Sequence, residues 1–210
     1  LEDEKIPVGK TAKKIFDFLK DNFEGVFDAA SVALETMIEG ILWALQTPHP
    51  LIMVALFTGC AYLLQRSWKV ALFTLAGLLF IINQGYWEET TETLSLVIAA
   101  TSVCMIIGVP LGVAAAHRPA LFAAMRPVLD LMQTIPTFVY LIPALILFGL
   151  GMVPGLIATV IFAIPAPIRL TQLGVSSTPT QLIEAGEAFG ATKSQLLWKV
   201  ELPYALPQIM

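Results

Sequence analysis

The residues most suited to chemistry lie in one polar segment, residues 177–203, of a chain otherwise built from long uncharged runs. Within it, residues 186–194 have a faint likeness to a phosphate-binding loop, because glycines precede Lys193 and Ser194. The glycine-to-lysine spacing is wrong for such a loop, and no strand is predicted before it. Lys193 is therefore not expected to hold a phosphate, and the segment is expected to act by binding.

No other group of side chains predicts catalysis or metal binding. His49 and His117 are far apart in the sequence, and no cluster of histidines, cysteines or carboxylates has the spacing of a metal site. Cys60 and Cys104 each lie in an apolar run, where a free thiol packs as a small hydrophobic side chain. We expect a chain that is not an enzyme and binds neither cofactor nor metal, so that catalysis is supplied by a partner.

The first half of the polar segment carries the signals of a short helix. Thr178 is a candidate N-cap, with Pro179 at the first helical position and Gln181 at the capping-box spacing. Gly190 can end this helix by adopting the left-handed conformation at little steric cost. The predicted helix therefore lies between Thr178 and Gly190.

A second short helix is predicted after the glycine. Thr192 and Gln195 repeat the capping-box spacing, and Pro203 limits how far the helix continues in one direction. Its apolar members are Leu196, Leu197, Trp198 and Val200. Two capped helices beside a hydrophobic span predict a surface for a water-soluble partner, and we name residues 177–203 the docking loop. The alternative is a purely structural loop whose caps serve only compactness.

Composition places the chain in a lipid bilayer. Hydrophobic residues make up 57% of the sequence and charged residues only 13%, which lies outside the range of ordinary soluble domains. The net charge of -4 identifies no partner, since nine of the sixteen acids fall within the first 39 residues. The basic residues are scattered, so no nucleic-acid partner is expected.

Uncharged runs predict five membrane-spanning helices, since a helix needs about 20 residues to cross about 30 Å of hydrocarbon. The predicted spans are residues 51–64, residues 70–87, residues 93–116 with a bend near 108–112, and two within residues 131–168. The segment from Thr47 to Pro50 should break the chain before the first span, and residues 149–154 should form the turn within the last run.

Basic residues indicate the orientation, because they favour cytoplasmic connections. Arg66 and Lys69 lie in the connection after the first predicted span, and Arg118 and Arg126 lie in the connection after the third. Lys193 and Lys199 lie in the docking loop, and Arg169 lies between the last predicted span and that loop. The connections at residues 84–92 and 149–154 contain neither lysine nor arginine. This alternation predicts a cytoplasmic docking loop and an N-terminus outside, although five lysines within the first 20 residues oppose that placement.

The N-terminal segment, residues 1–47, reads as an amphipathic helix and not as a secretory signal, because acids interrupt its apolar residues. Its apolar stripe consists of Ile15, Leu19, Phe23, Val26, Phe27, Ala30, Leu34, Ile38 and Ile41. We predict that this helix lies in the membrane interface. The alternative is that the stripe packs on the helical bundle or on a neighbouring subunit.

The docking loop resembles the EAA loop of binding-protein-dependent ABC importer permeases, which reads Glu-Ala-Ala, three residues, Gly, nine residues, Ile, one residue, Leu-Pro. The matching positions are Glu184, Ala185, Gly186, Gly190, Val200, Leu202 and Pro203. Gly186 stands for the second alanine and Val200 for the isoleucine, and the spacing is kept throughout. The resemblance implies that the first helix of the loop inserts into a groove of a cytoplasmic ATPase.

Residues 90–210 also resemble the ProW/OpuAB-type glycine betaine permease subunits. The likeness is strongest around residues 133–143 and continues through Phe148-Gly149, Val153-Pro154-Gly155 and Ile168-Arg169-Leu170-Thr171. It implies osmoprotective uptake of compatible solutes such as glycine betaine, proline betaine or related quaternary amines. A permease for another small solute, such as an amino acid, is the alternative.

This family resemblance also implies an architecture and a set of partners. The fold is an all-α polytopic membrane protein, a type-I ABC importer permease, with residues 48–210 as the transmembrane domain and about two further spans expected after Pro203. The partners are a second permease copy, a cytoplasmic ABC ATPase dimer that binds ATP and Mg, and an external substrate-binding protein or domain. The location is the cytoplasmic membrane of a bacterium or archaeon.

Polar and helix-breaking residues of the last uncharged run are candidates for the translocation pathway, because backbone freed by proline must face protein or water. The main candidates are Gln133, Thr134, Pro136, Phe138, Tyr140 and Pro143, with Pro165 and Pro167 further along. Phe138 and Tyr140 could bind a quaternary ammonium ion through their ring faces, or could serve only packing. Asp130 is expected to form an ion pair with Arg126 near the inner interface.

Two other functional classes make different demands on the chain. A secondary transporter would carry ionisable groups near the bilayer midplane to couple ions, and the spans within residues 70–87, 93–116 and 131–168 contain no Asp, Glu, Lys, Arg or His. A membrane scaffold without a transport role would tolerate uncharged spans but gives no reason for the docking loop. Both classes are therefore disfavoured against a permease.

Overall fold

The structure is a computed structural model that describes residues 8–210, with side chains described for Phe18 and from residue 22 onward. Most of these residues are helical and none of them is in a strand, so the predicted all-α class is confirmed. The helices are α1 (Val8–Gln46), α2 (Pro50–Gln65), α3 (Trp68–Asn83), α4 (Trp87–His117), α5 (Pro119–Thr134), α6 (Thr137–Phe148), α7 (Met152–Ala163), α8 (Pro165–Ser176), α9 (Thr180–Ala188), α10 (Lys193–Leu196), a π segment (Leu197–Glu201) and α11 (Leu202–Ile209).

The chain divides into two compact units. Unit 1 comprises the residues up to Ser95 together with Ile142–Pro154, and unit 2 comprises Leu96–Leu141 together with Gly155–Met210. The docking loop and five of the six main pathway candidates belong to unit 2. The sixth candidate, Pro143, belongs to unit 1.

Both predicted chain breaks are confirmed. The first follows Gln46, where α1 and α2 meet at an angle of 94°. His49 caps α2, its Nδ1 accepting a hydrogen bond from the N–H of Leu51 at 3.3 Å, and Pro50 takes the first turn, where its missing N–H costs no hydrogen bond. The second break lies between Phe148 and Met152, the end of α6 and the start of α7.

Helix lengths differ from the five predicted spans. Among the described residues, two stretches are long and apolar enough to cross a membrane, Trp87–His117 with 31 residues and Met152–Ser176 with 25. Two bent pairs, Asn22–Gln46 with Pro50–Gln65 and Pro119–Thr134 with Thr137–Phe148, reach that criterion only when each pair is combined. The apolar helices α2 and α3 have 16 residues each, about 24 Å, and pack against one another.

The span predicted to begin at Leu131 is not continuous, because the chain turns by 93° between α5 and α6. Pro136 causes this elbow. A residue before proline is pushed out of the helical region, and Ile135 accordingly has φ -78° and ψ 130°. The elbow, defined as residues 131–140, therefore interrupts a run that hydropathy alone presents as a single helix.

Helix α1 packs most of its predicted apolar stripe within unit 1. Ile38 is 2% exposed, and the ring of Phe27 contacts that of Phe148 edge-on with centroids 5.4 Å apart. Phe23 and Val26 are exposed, while Ile15 and Leu19 lie outside the side chains that the structure describes. From Phe27 onward the stripe thus follows the packed alternative, and interfacial membrane binding by the earlier part stays a prediction.

In unit 2, two glycines bring α4 close to α8. A Cβ atom added at Gly112 would lie 2.6 Å from the Cβ of Thr171 and 2.7 Å from the carbonyl oxygen of Ile168. At Gly108 an added Cβ would lie 2.9 Å from the ring of Pro167. Only hydrogen fits at either position, so this tight contact fixes α4 against the helix from which the docking loop emerges.

Candidate functional site

The first helix of the docking loop begins one residue later than predicted. The carbonyl oxygen of Pro179 accepts hydrogen bonds from the N–H groups of Leu182 (3.0 Å) and Ile183 (3.4 Å), so Pro179 is the N-cap of α9. Thr178 is not the cap, because its N–H is bonded to the carbonyl of Val175 and it completes the end of α8. Its buried hydroxyl has no hydrogen-bond partner within the described residues.

The predicted glycine bend is confirmed at the end of α9. Gly190 has φ +76°, and its N–H donates to the carbonyl of Glu187 at 2.8 Å, while the N–H of Ala191 donates to the carbonyl of Gly186 at 3.0 Å. These two bonds form a Schellman motif, which satisfies carbonyls that the helix end would leave unpaired. The chain therefore leaves α9 in a direction fixed by backbone bonds.

The second predicted cap is also confirmed. The hydroxyl of Thr192 accepts from the N–H of Gln195 at 3.3 Å, and the Gln195 side chain accepts from the N–H of Thr192 at 2.8 Å. This reciprocal capping box begins α10. Both ends of the connection between the two helices are therefore fixed by hydrogen bonds.

Helical structure continues past Pro203, where the sequence predicted a limit. The π segment precedes α11, and Pro203 lies in the first turn of α11. A proline has no N–H to donate to the carbonyl four residues earlier, and its ring crowds that carbonyl. The wider π hydrogen-bonding pattern before it accommodates this conflict, so the chain changes helix type instead of ending the helix.

Gly186, one of the two departures from the EAA pattern, lies where the two helices of the loop meet. A Cβ atom there would lie 2.5 Å from the Cδ2 of Leu196 and 3.9 Å from the Cγ2 of Val200. Leu196 is 6% exposed. The alanine methyl group of the EAA pattern would overlap the Leu196 side chain here, and glycine leaves the space that this side chain fills.

The outer surface of the docking loop is unusually apolar for an exposed segment. Glu184 and Ala185 are exposed, as the predicted coupling role requires, and they are accompanied by Phe189 at 93% and Trp198 at 68% exposure. Exposed aromatic side chains are candidates for contact with a partner, because aromatic residues are enriched at interfaces. Sequence reasoning did not select these two aromatic residues for the site, although Phe189 stands directly beside the glycine bend.

The elbow brings together five of the predicted pathway residues. Gln133, Thr134, Pro136 and Phe138 are exposed, whereas Tyr140 is half-buried and its hydroxyl lies 3.2 Å from the carbonyl oxygen of Met132. In a continuous helix that carbonyl would accept from residue 136, which is a proline without an N–H. The tyrosine hydroxyl therefore supplies the donor that the proline lacks. Pro143 lies in the other unit.

The predicted ion pair between Asp130 and Arg126 is wrong. Asp130 instead accepts a hydrogen bond from the guanidinium of Arg169, so the pair joins α5 to α8. Arg126 lies over the ring of Phe122. An arginine four residues before a carboxylate is the less favourable orientation on a helix, and the tertiary partner prevails here.

A largely apolar cavity of about 260 Å³ lies within unit 2, between α4 and the α7–α8 stretch. Its lining includes Cys104, Thr159 and Pro167, the last of them a minor pathway candidate. The other minor candidate, Pro165, is buried in the first turn of α8. Among the side chains described, no group of three histidines, cysteines or carboxylates could hold a metal ion.

Comparison with known proteins gives one family match. Residues 108–210 match the family described as binding-protein-dependent transport system inner membrane component. That stretch contains the elbow and the whole docking loop.

Curated relatives are similar over nearly the whole chain. The glycine betaine transport system permease protein OpuAB of Bacillus subtilis is 39% identical over 206 residues, covering 98% of this chain and 73% of the relative. The glycine betaine/carnitine transport permease protein GbuB of Listeria monocytogenes is also 39% identical, with the same two coverages. The glycine betaine/proline betaine transport system permease protein ProW of Escherichia coli is 38% identical, covering 98% of this chain and 58% of the relative. The predicted resemblance is confirmed and extends beyond residues 90–210.

Proposed function

The chain belongs to the family of inner membrane components of binding-protein-dependent transport systems, the permeases of ABC importers, and we propose that its substrate is glycine betaine or a related quaternary amine. The observation that carries this proposal is the similarity of 38–39% identity over 98% of the chain to three permeases named for glycine betaine transport. Its cellular role would be osmoprotection.

The docking loop is proposed to couple this permease to a cytoplasmic ABC ATPase dimer. Its exposed face offers Glu184, Ala185 and the ring of Phe189, and its shape is held by the Schellman motif and the capping box. A rigid helix, bend and helix can transmit movement, whereas a flexible loop would absorb it. ATP and Mg bind to the partner ATPase, which performs the hydrolysis, and the permease itself binds no cofactor.

The proposed setting is the cytoplasmic membrane of a bacterium or archaeon, with the docking loop inside and the N-terminus outside. A second permease copy completes the translocation route, and a substrate-binding protein or domain delivers the solute from the outer side. Labelling in intact cells of single cysteines placed at Phe189 and at Leu150, both more than 90% exposed, tests the orientation. Protection at position 189 with labelling at position 150 by an impermeant reagent supports it, and the reverse pattern refutes it.

The elbow residues Gln133, Thr134, Pro136, Phe138 and Tyr140, with Pro143, are proposed to line the route. Phe138 is 76% exposed within the chain, so its ring face is available to a quaternary ammonium ion. Such a contact contributes about 0.5–2 kcal/mol per ring. Weak contacts of this kind suit a route that must release its solute, since capture belongs to the binding protein.

Uptake by the complete transporter in proteoliposomes tests the proposed function. With external binding protein and internal ATP, labelled glycine betaine should accumulate, and unlabelled proline betaine should compete with it. Inactivating the partner ATPase should abolish the accumulation. Accumulation that continued without ATP hydrolysis would indicate a secondary transporter, and competition only by amino acids would assign the alternative substrate class.

A further inference from the structure

One contact joins the last turn of α4 to the end of the docking loop. The Nε2 atom of His117 lies 3.0 Å from one carboxylate oxygen of Glu201 and 3.3 Å from the other. The Nδ1 atom lies 3.0 Å from the carbonyl oxygen of Val113, one turn earlier in α4. Glu201 ends the π segment and is 8% exposed, whereas the His117 side chain is 49% exposed. The imidazole therefore bridges two elements that lie 84 residues apart.

These two contacts together require an added proton. A carbonyl oxygen only accepts hydrogen bonds, so Nδ1 must carry a proton to bond with Val113. In the neutral imidazole Nε2 would then be an acceptor facing an ionised carboxylate, which is also an acceptor. The form that satisfies both sides with Glu201 ionised is the imidazolium, with a proton on each ring nitrogen. The bridge therefore depends on the proton that converts the imidazole to the imidazolium, the change of charge by which histidines act as switches.

The groups around the contact leave His117 accessible to solvent, so its ring can exchange a proton, and none of them takes the place of His117 or Glu201 in the contact. His117 and Glu201 border a cleft of about 560 Å³, which also contains Glu187 of α9 and Lys193 of α10. The hydrogen bond from Nε2 goes to Oε1 of Glu201 at 3.3 Å, and the nearer oxygen, Oε2, lies within ion-pair distance but has no hydrogen-bond partner within the described part of the chain. Arg118, the residue after His117, begins the connection to α5.

We propose that His117 and Glu201 are positioning residues that form a proton-dependent clamp between α4 and the docking loop. With His117 charged, the clamp holds the root of the loop against a membrane-spanning helix, so movement of the loop passes to that helix. With His117 neutral, the contact loses its attraction and transmission becomes weaker. This inference rests on the proposed coupling role of the docking loop.

Thermal unfolding tests whether His117 and Glu201 interact, independently of any role of that contact in coupling. Thermal unfolding of the purified full-length transporter is measured at pH 6 and pH 8 for the wild type, His117→Gln, Glu201→Gln and the double variant. A clamp predicts an interaction between the two positions at pH 6 that corresponds to about a two- to five-fold change in the unfolding equilibrium and is absent at pH 8. Additive effects at both pH values overturn the inference, whatever the transporter carries.

Solute transported per ATP hydrolysed then tests the functional consequence in proteoliposomes. The wild-type ratio should be about two- to five-fold higher at pH 6 than at pH 8. His117→Gln and Glu201→Gln should each remove that dependence, and His117→Arg, which keeps a positive charge, should keep the high ratio at both pH values. The control is His49→Gln, because His49 is the other histidine of the sequence and should retain the wild-type profile. A wild-type profile in both His117→Gln and Glu201→Gln refutes the clamp as a coupling element.

Discussion

Replacement of Gly190 isolates the contribution of the bend in the docking loop. This residue has φ +76°, and a Cβ atom built there would meet nothing within 4 Å. Any penalty for a side chain therefore comes from the backbone conformation and not from crowding. A left-handed residue other than glycine costs about 1–2 kcal/mol, asparagine less than alanine, and a branched side chain more. The expected order of increasing damage is thus asparagine, alanine and valine.

A penalty of this size decides whether the bend persists. About 1–2 kcal/mol changes the population ratio of the native bend to its alternatives by roughly 5- to 30-fold. The Schellman bonds at Gly190 and Ala191 would then be lost in much of the population, and α10 would leave α9 in another direction. Gly190→Val should accordingly insert into the membrane normally but lose substrate-stimulated ATP hydrolysis and uptake by the assembled transporter.

Gly85 provides the matched control. It has φ +77°, an added Cβ there also meets nothing within 4 Å, and it lies in the connection between α3 and α4, which is not part of the docking loop. Gly85→Val should reduce thermal stability about as much as Gly190→Val and leave uptake per ATP hydrolysed unchanged. Normal stimulated hydrolysis in Gly190→Val, or an equal loss in both variants, would refute the coupling role of the bend.

Three further outcomes follow from contacts described above. Gly112→Ala should lower the free energy of unfolding by about 1–3 kcal/mol, because the added methyl group would overlap α8. Gly77→Ala is the control, since an added Cβ there meets nothing within 4 Å, and it should not destabilise the protein in the same thermal unfolding measurement. Tyr140→Phe should lower stability by about 1–3 kcal/mol by leaving a carbonyl of the elbow unpaired, again seen in thermal unfolding, and an unchanged midpoint contradicts the bond. Phe189→Ser should weaken copurification of the ATPase and leave thermal stability unchanged. Leu150→Ser, at a similarly exposed position in another connection, should leave both copurification and stability unchanged.

The parts of the fold that sequence could predict are those whose signals are local. Thr192 and Gln195 are three residues apart, and Gly190 needs only its own backbone freedom, so the second cap and the bend followed from the residues themselves. The break before Pro50 is local in the same sense. The resemblance of the docking loop to a known pattern likewise depends on spacing along the chain and not on tertiary contacts.

The features that could not be predicted depend on tertiary contacts, or were hidden because hydropathy is averaged over a window of residues. Asp130 had a plausible neighbour in Arg126, and only the packing of α5 against α8 shows that Arg169 takes its place. The contact between His117 and Glu201 joins residues 84 apart and has no local signal. The elbow at Pro136 was missed because a window of apolar residues reads as one span whatever its backbone does.

The hydroxyl of Tyr140 has a mechanical consequence for the elbow. If the carbonyl left without a donor were hydrogen-bonded to water, the angle of the kink would change with the hydration of the site during a transport cycle. Here the missing donor comes from the same short piece of chain, so the corner keeps its angle in either environment. We expect the elbow, residues 131–140, to keep its shape during the cycle, with the deformation of unit 2 concentrated elsewhere, for example in the π segment at the end of the docking loop.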